Sequence, residues 1–237
     1  MKKMLILGAN GMAGHMLNHY FQQQPEWEVR TTSRHMTHDS SWCLEALNFA
    51  QADQIIEQYR PDVVINAIGI LNGQAEENER KANLVNGLFP HWIAEKLDEL
   101  RSGGKLVQIS TDCVFSGQRG GYCEDDRPDG TSVYARSKAA GEVRRDPHLT
   151  IRTSIIGPEI RPCGIGLLQW FLKQQGNVPG YTQVLWNGVT TLQLAKSIDD
   201  MLRHGTSGLI HLIAPQPISK YELLHKFAAV FARHNES

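Results

Sequence analysis

A hydroxyl, a phenol and an ammonium group that could together reduce a carbonyl occur between positions 107 and 138. A short apolar run ends in Ser110 and Thr111, and Tyr134 and Lys138 follow four residues apart, so that they would share one face of a helix. A free phenol has a pKa of about 10, too high for an efficient acid–base group at neutral pH. We expect the Lys138 ammonium and a positively charged nicotinamide ring to lower that pKa. The pattern predicts that Tyr134 protonates a carbonyl held by Thr111 (or Ser110) while a nicotinamide cofactor delivers hydride.

The Tyr134–Lys138 pair indicates a catalytic site mainly because of the motifs that precede it in the sequence. Tyr134 is the only one of the six tyrosines with a lysine four residues later, but such a pair also arises by chance at ordinary lysine content. Here it follows, in order, a glycine-rich turn, a buried strand ending in Asn66, and a Ser-Thr-Asp sequence.

The glycine-rich turn lies at positions 8–14, between an apolar strand and an amphipathic helix. Its glycines would allow a tight turn, close approach of the backbone to a pyrophosphate, and packing of helix on strand. Spaced glycines alone also suit an ordinary strand-to-helix turn, and the position after the first strand favours a dinucleotide. We expect the cofactor to contact this turn through Gly8, Asn10, Gly11, Met12 and Gly14.

Cofactor preference is predicted from the end of the second strand. A site for NAD usually has an acidic residue there for the ribose hydroxyls, whereas this chain has Ser33 and Arg34. A hydroxyl and a guanidinium suit a 2′-phosphate. We therefore expect NADP(H) to be preferred and NAD(H) to be possible; the alternative is that Arg34 is a solvated surface residue.

Two asparagines have different expected roles. Asn66 ends a buried strand, and together with Ala67 and Ile68 it would leave room for the nicotinamide ribose. Asn86 lies on the apolar face of a predicted helix, where a buried amide needs partners. For Asn86, a structural tie to neighbouring strands is as plausible as a catalytic role.

Hydrophobic periodicity predicts alternating strands and helices along most of the chain. Strands are expected at 2–9, 27–32, 44–48, 62–67, 105–111, 149–154 and 208–214. Helices are expected at 12–24, 52–59, 76–101, 134–145, 167–172 and 191–203, with a last helix capped by Ser219.

The composition excludes several classes of protein. With 237 residues, 41% hydrophobic content and a formal charge of −1, the chain is neither disordered nor a strongly basic nucleic-acid binder. Its apolar runs are too short to cross a bilayer, and we find no export signal. The four cysteines have no C-x-x-C spacing and the ten histidines no ligand spacing, so we expect reduced thiols, a cytoplasmic location and no metal site.

The chain resembles the extended short-chain dehydrogenase/reductases, and most of all their dTDP-4-dehydrorhamnose reductase group. The most specific match is Ser-Thr-Asp-x-Val-Phe-x-Gly at 110–117. The other matching stretches are 6–14, 64–67, 134–138 with Gly141 and Glu142, and 151–154, with weaker similarity over 188–195 and 208–224.

This resemblance implies an α/β fold, a Rossmann-type doubly wound parallel sheet with a small C-terminal substrate lobe. It implies reduction by NADPH of a nucleotide-linked 4-keto-6-deoxy sugar, for deoxysugar or surface polysaccharide biosynthesis, with Thr111, Tyr134 and Lys138 as the catalytic set. Tyr134 and Lys138 would also contact the cofactor. The residues expected to bind substrate are Thr111, Asp112, Val114, Arg152 and Ser154.

Four features depart from the family pattern. Cys113 replaces a usual tyrosine, Ala135 a usual glycine, and Ile155 a tryptophan that packs on the sugar, which leaves the sugar specificity open. Family members usually continue beyond the position corresponding to Ser237 with a segment that closes the sugar lobe.

We expect an NAD(P)-binding domain at 1–157 and a mainly substrate-binding lobe at 158–237, from which 190–214 returns a helix and a strand to the sheet. The partners expected are a nucleotide-sugar substrate and, as one possibility, a second copy in a homodimer. Two functional alternatives remain: a sugar-nucleotide epimerase or dehydratase, and a non-catalytic NADP-binding subunit. Cofactor stoichiometry separates the three, because only a reductase consumes one NADPH per keto sugar.

Overall fold

A parallel sheet with helices on both faces forms the centre of the computed structural model, which describes residues 1–35, 41–100, 103–161 and 164–231. The strands are β1 (Lys2–Leu7), β2 (Trp27–Ser33), β3 (Trp42–Cys43), β4 (Val63–Asn66), β5 (Lys105–Ile109), β6 (Leu149–Arg152), β7 (Ile155–Ile156), β8 (Leu185–Trp186), β9 (Val189–Thr190), β10 (Gly208–His211) and β11 (Ile218–Ser219). Seven of them form the main sheet in the order β3-β2-β1-β4-β5-β6-β10. All the pairings in this sheet are parallel.

The helices are α1 (Met12–Phe21), α2 (Phe49–Tyr59), α3 (Asn72–Glu77), α4 (Glu79–Ala82), α5 (Phe89–Glu99), α6 (Val133–Ala140), α7 (Leu167–Leu172), α8 (Thr191–Arg203) and α9 (Lys220–Phe231). A π-helical segment (Asn83–Leu88) joins α4 to α5, and a 3₁₀ turn (Asp112–Val114) follows β5.

The central strands are apolar on both faces because helices cover both. Leu5 and Leu7 of β1 face a cluster with α2 and α5, whereas Met4 and Ile6 face a second cluster with α1 and α8. This alternation is the period of two of a strand, and burial of both faces is usual in a parallel sheet. The predicted doubly wound α/β fold is confirmed.

The strand order brings the ends of several strands to one edge of the sheet. Leu7 of β1 lies beside Thr32 of β2 and Asn66 of β4, and Asn66 lies beside Gln108 of β5. The chain order reverses between β1 and β4, which is the point where such sheets bind ligands. The glycine turn, the Asn66 strand end and the Ser-Thr-Asp sequence therefore meet at the same edge.

Several expected elements differ in extent from those observed, and three of them differ for reasons that the structure shows. The strand expected at 44–48 is instead β3, which ends at Cys43; Asn48 begins the next helix by accepting a hydrogen bond from Gln51 N at 3.1 Å. The single helix expected at 76–101 is broken into α3, α4, the π-helical segment and α5. Helix α6 ends at Ala140, not Arg145, and Gly141, its next residue, lies against the backbone of Asn86.

The C-terminal part of the chain contributes both to the sheet and to a separate apolar cluster. Strand β10 pairs with β6 at the edge of the main sheet, and α8 packs against α1. Beyond them a smaller cluster consists of Ile156, Leu168, Leu223, Leu224 and Phe227. The predicted Ser219 cap is confirmed, because Ser219 Oγ accepts from Glu222 N at 3.1 Å. The domain boundary at 157 stays a prediction.

In the described ranges, we find no helix with the length and apolar character needed to cross a bilayer.

Candidate active site

The turn after β1 is held by backbone contacts that exclude side chains. Gly8 has φ of +82°, a conformation that glycine adopts without strain. Gly11 N donates to Gly8 O at 3.0 Å, and an added Cβ on Gly14 would overlap the Gly8 carbonyl. Gly11 precedes α1 without a side-chain cap, and the first turn of α1 has no acidic residue. The turn, which includes Asn10, therefore leaves the amides and the positive end of α1 available to an anion.

The residues after β4 lie directly against this turn. An added Cβ on Gly8 would come within 2.9 Å of Ile68 Cγ1 and 3.4 Å of the carbonyl carbon of Ala67. Asn66 is buried; its Nδ2 donates to Gln108 Oε1 at 2.8 Å and its Oδ1 accepts from Ile68 N at 3.1 Å. Asn66 thus shapes the 66–68 backbone, and Ala67 and Ile68 form the wall of the cleft beside the glycines. Met12 contacts Gly166 of the C-terminal lobe.

Ser33 and Arg34 lie at the end of β2 as expected, but in different environments. Ser33 is 4% exposed and donates its hydroxyl to His35 O. Arg34 is exposed beyond the strand end. Arg34 is thus the more accessible of the two side chains, and the contact of both residues with a 2′-phosphate stays a prediction.

Strand β5 and helix α6 bring Thr111 close to Tyr134, although 22 residues separate them in the sequence. The Thr111 hydroxyl lies near the Tyr134 phenol and accepts a hydrogen bond from Cys113 N at 3.1 Å. Burial, followed by the nearby Cys113 thiol, raises the pKa of Tyr134 to about 12, while the nearby Thr111 hydroxyl opposes this shift. Burial therefore dominates the pKa of Tyr134 here, and its lowering by Lys138 together with a bound nicotinamide stays a prediction.

Lys138 is buried one turn further along α6. Its Nζ donates to Ile109 O at 2.6 Å, at the end of β5, and the side chain is 5% exposed. Burial lowers the pKa of Lys138 to about 8, and the charge of Glu142 opposes that shift. The ammonium form still predominates at neutral pH, beside the strand end that leads to Thr111.

Asn86 fixes α6 relative to the strand ends. Its Oδ1 accepts from Ile70 N at 2.8 Å, and its Nδ2 donates to Ile70 O at 2.9 Å and to Ser137 Oγ at 3.1 Å. An added Cβ on Gly141 would overlap Asn86 O, so the π-helical segment and α6 approach as closely as their backbones allow. Of the two roles left open for Asn86, the structure shows the structural tie.

Besides Thr111, which is 6% exposed, two more of the residues expected to bind substrate are buried. Arg152 is 1% exposed and donates from Nε and Nη2 to the Glu142 carboxylate at 2.6 and 2.8 Å. Val114 is fully buried in the 3₁₀ turn. In this structure Arg152 makes an internal ion pair and the Val114 side chain is buried, and the two substrate-binding assignments stay predictions.

The other expected substrate contacts are nearer the surface. Asp112 is exposed, and its Oδ1 accepts a hydrogen bond from Thr111 Oγ1 at 3.3 Å. Ser154 is partly buried and its Oγ accepts from Trp186 Nε1 at 2.8 Å. Asp112 therefore remains placed to meet a ligand, whereas the Ser154 hydroxyl already has a partner from β8.

Sequence reasoning assigned no role to Glu142, although the structure places it at the centre of a buried network. Its Oε1 accepts from Ser110 Oγ at 3.1 Å and its Oε2 from Arg144 Nη2 at 2.8 Å, in addition to Arg152. These bonds to cations lower the pKa of Glu142 although burial raises it. The available signal was a glutamate four residues after Lys138, which would share its face of the helix predicted at 134–145.

Comparison with known proteins identifies the family. The profile described as "RmlD substrate binding domain" matches residues 1–159, about two thirds of the chain. The chain belongs to this family.

Relatives of this RmlD family chain include named biosynthetic proteins. It is 33% identical over 147 residues to the spore coat polysaccharide biosynthesis protein SpsK of Bacillus subtilis, a match that covers 60% of this chain and 47% of that protein. It is 28% identical over 230 residues to the dTDP-4-keto-6-deoxy-D-glucose reductase of Streptomyces niveus, covering 92% of this chain and 75% of that protein. The first match thus spans less than half of the relative.

The fold of the RmlD family chain is also found among solved structures. A hypothetical dTDP-4-dehydrorhamnose reductase from Sulfolobus tokodaii superposes with a TM-score of 0.84 at 28% identity. The superposition covers 98% of this chain and 82% of that one. The resemblance inferred from the motifs is therefore confirmed, from the glycine turn to the C-terminal lobe.

Proposed function

We propose that this protein is an NADPH-dependent reductase of a nucleotide-linked 4-keto-6-deoxy sugar. The observation that carries the proposal is that the Thr111 hydroxyl lies near the Tyr134 phenol, with buried Lys138 one turn further along α6, at the sheet edge where the glycine turn lies. Relatives named as sugar-nucleotide reductases support the substrate class.

The glycine turn fits the pyrophosphate of a dinucleotide. A side chain at position 14 would fill the cradle, and the uncapped start of α1 supplies amide donors without a competing carboxylate. Gly8, Asn10, Gly11, Met12 and Gly14 would hold the pyrophosphate, with Ala67 and Ile68 along the ribose and Arg34 at a 2′-phosphate. When bound, the nicotinamide supplies the hydride.

The proton step follows from the side chains. Tyr134 keeps its proton at neutral pH, because burial raises its pKa to about 12, and so it is available to donate to the carbonyl oxygen of the sugar. Thr111 Oγ1 lies near that phenol and would hold the same oxygen. Lys138 would stabilise the phenolate that remains and would contact the cofactor ribose. As the hydride arrives at carbon, the oxygen takes the Tyr134 proton and the ketone becomes an alcohol.

The test is NADPH consumption with a panel of dTDP-, UDP- and GDP-linked 4-keto sugars. A reductase oxidises one NADPH per sugar reduced. Tyr134→Phe should lower the rate by at least about a hundredfold, the usual scale for removal of a general acid, while NADPH still binds as judged by its fluorescence.

The alternatives give different results in the same assay. An epimerase or dehydratase would convert sugar without net NADPH oxidation, and a non-catalytic subunit would bind cofactor and turn nothing over. Near-normal turnover by the Tyr134→Phe protein would reject the role of Tyr134. The cytoplasmic location and the homodimer stay predictions.

A further inference from the structure

The ion pair between Glu142 and Arg152 is almost fully withdrawn from water. Both side chains are 1% exposed, and the guanidinium donates to both carboxylate oxygens. Burying two charges is costly, and well-packed apolar residues often replace such a pair without loss of stability. We therefore expect this buried pair to have a role other than stabilising the fold.

Arg152 also supports the loop at 115–129, which connects the 3₁₀ turn towards α6. Its guanidinium carbon lies 4.9 Å from the centre of the Phe115 ring, and Phe115 stacks on Tyr122 with ring centres 4.2 Å apart and planes 9° from parallel. Arg119 lies over the other side of Tyr122, 4.6 Å from its centre. A continuous column of guanidinium, two aromatic rings and guanidinium thus runs from the buried pair to the surface.

Polar contacts fasten the same loop to β6 and β10. Arg152 Nη1 donates to Glu124 O at 3.3 Å and to His211 Nε2 at 3.2 Å, and Glu124 Oε1 accepts from His211 N at 2.8 Å. His211 must be neutral to accept from an arginine, which agrees with its pKa, lowered mainly by burial. Arg152 therefore holds the loop through both the Phe115 ring and the Glu124 backbone.

The carboxylate end of the pair contacts the catalytic elements. Glu142 Oε1 accepts from Ser110 Oγ, the residue directly before Thr111, and Glu142 follows Lys138 by one turn. One ion pair thus links the strand end of Thr111, the end of the helix that carries Tyr134, and the loop.

The position of this network favours an effect on the sugar substrate. Strands β6 and β10 lie at the opposite end of the sheet from β1 and β2, whose ends form the glycine turn and the Arg34 site. A loop fastened over β6 and β10 is therefore remote from the pyrophosphate and adjacent to the side from which Thr111 and Asp112 face a ligand.

We propose that Glu142 and Arg152 are positioning residues that hold the 115–129 loop against the sugar-nucleotide side of the site, through the Arg152–Phe115–Tyr122 column. The kinetic test of this inference, KM for the sugar nucleotide, rests on the proposed function. Its second test, amide hydrogen exchange in the 115–129 loop, needs no turnover.

The experiment removes one ring of the column. Phe115→Leu keeps the ion pair and an apolar side chain but abolishes the stacking, whereas Phe115→Tyr restores a ring. We expect Phe115→Leu to raise KM for the sugar nucleotide by about tenfold, the scale of one cation–π and one aromatic contact. The dissociation constant for NADPH should stay unchanged, and amide hydrogen exchange should accelerate in 115–129. The Phe115→Tyr protein should have the wild-type KM for the sugar nucleotide and the wild-type exchange rate in 115–129.

Two further variants complete the design. Arg152→Lys keeps the charge but loses the planar fork, and should reproduce both effects of Phe115→Leu. Arg144→Gln removes the half-exposed partner of the same carboxylate without touching the column, and should change neither loop exchange nor KM.

The outcomes separate this inference from the proposed function. If wild type reduces none of the sugars, the reductase proposal fails, and loop exchange together with binding of unreacted sugar nucleotide still decides the positioning role. Unchanged exchange and unchanged sugar-nucleotide affinity in Phe115→Leu would overturn it, and so would an equal loss of NADPH binding.

Discussion

The turn after β1 and the helix α6 lie at the same edge of the sheet, but different interactions hold them. The turn depends on backbone approach: Gly14 lies against the Gly8 carbonyl, and neither position admits a side chain without displacement. Helix α6 depends on side chains drawn from remote parts of the sequence, among them Asn86 and, beyond its end, Glu142 with Arg152. The first region offers amides to an anion; the second places a phenol and an ammonium group.

The difference shows how each region can fail. A backbone cradle is destroyed by added atoms, and little else in the chain can compensate. A side-chain network is weakened by removing one partner, because the remaining buried donor or acceptor then lacks a hydrogen bond. The predictions below test whether the two regions remain as distinct as this comparison suggests.

The largest effect is expected where α6 also depends on a backbone contact. Gly141→Ala would drive a methyl group into Asn86 O, and we expect a loss of about 1–3 kcal/mol in the free energy of unfolding, the usual range for overpacking. Turnover should fall as well, since α6 carries Tyr134 and Lys138. Urea unfolding and NADPH oxidation measure the two effects.

Gly73→Ala is the matched control for that variant. Gly73 lies in α3 with nothing within 4 Å of an added Cβ, so alanine should be neutral or should stabilise by up to about 1 kcal/mol through helix propensity. Equal stability of the two variants would mean that the close approach of α6 to the π-helical segment is not required.

A smaller effect is expected from the side chain at the cofactor end of the sheet. Arg34→Ala should raise KM for NADPH by about tenfold, the scale of one hydrogen bond to a charged group, and leave KM for NADH unchanged. Ser33→Ala should change the ratio less, because the Ser33 hydroxyl is buried and bound to His35 O. If wild type and Arg34→Ala share one NADPH/NADH preference, Arg34 has no role in cofactor choice.

The smallest expected effect is a loss of stability at low pH, caused by two histidines beside β6 and in β10. Burial lowers the pKa of His148, which is 0% exposed and accepts from Leu106 N, and also lowers that of His211. Between those lowered pKa values and about pH 6.5, the unfolded chain binds more protons than the folded chain. The contribution of these histidines to stability is therefore complete above about pH 6.5 and is lost as the pH falls. Melting temperatures at pH 7.5 and 5.5 should show the decline.

Substitution of single histidines assigns that decline. His148→Gln should flatten it, whereas His204→Gln, at a position with a 72% exposed side chain, should not. Hydrogen exchange at the lower pH should rise first in β6 and β10. A uniform rise that includes the glycine turn would remove the distinction between the two regions.

The sequence predicted the first region more fully than the second. The glycine turn, the strand before it and the helix after it are local in sequence, so their spacing carries the geometry. The Tyr134–Lys138 pair was also local, and its approach to Thr111 followed from the parallel strand order. The roles of Glu142, Arg152 and Val114 could not be predicted in this way, because burial and partners come from packing between distant segments.

Element boundaries failed for related reasons. The helix expected at 76–101 is interrupted at Asn78, whose side chain accepts from Lys81 N and caps α4, and again by the π-helical segment, which lies against Gly141. Strand β3 is only two residues long, and its place is set by pairing with β2. The Ser33 environment likewise depends on where the chain turns after the strand.

The π-helical segment at Asn83–Leu88 sets a limit on how the length of this chain can vary. Each residue of a helix turns the following side chains by about 100°. A one-residue deletion within the segment would convert its wide turn to an α-helical one and rotate Asn86 away from Ile70 and Ser137, or else rotate Phe89 and Ile93 out of the core. Insertions and deletions should therefore be tolerated in the surface loops but not at this segment.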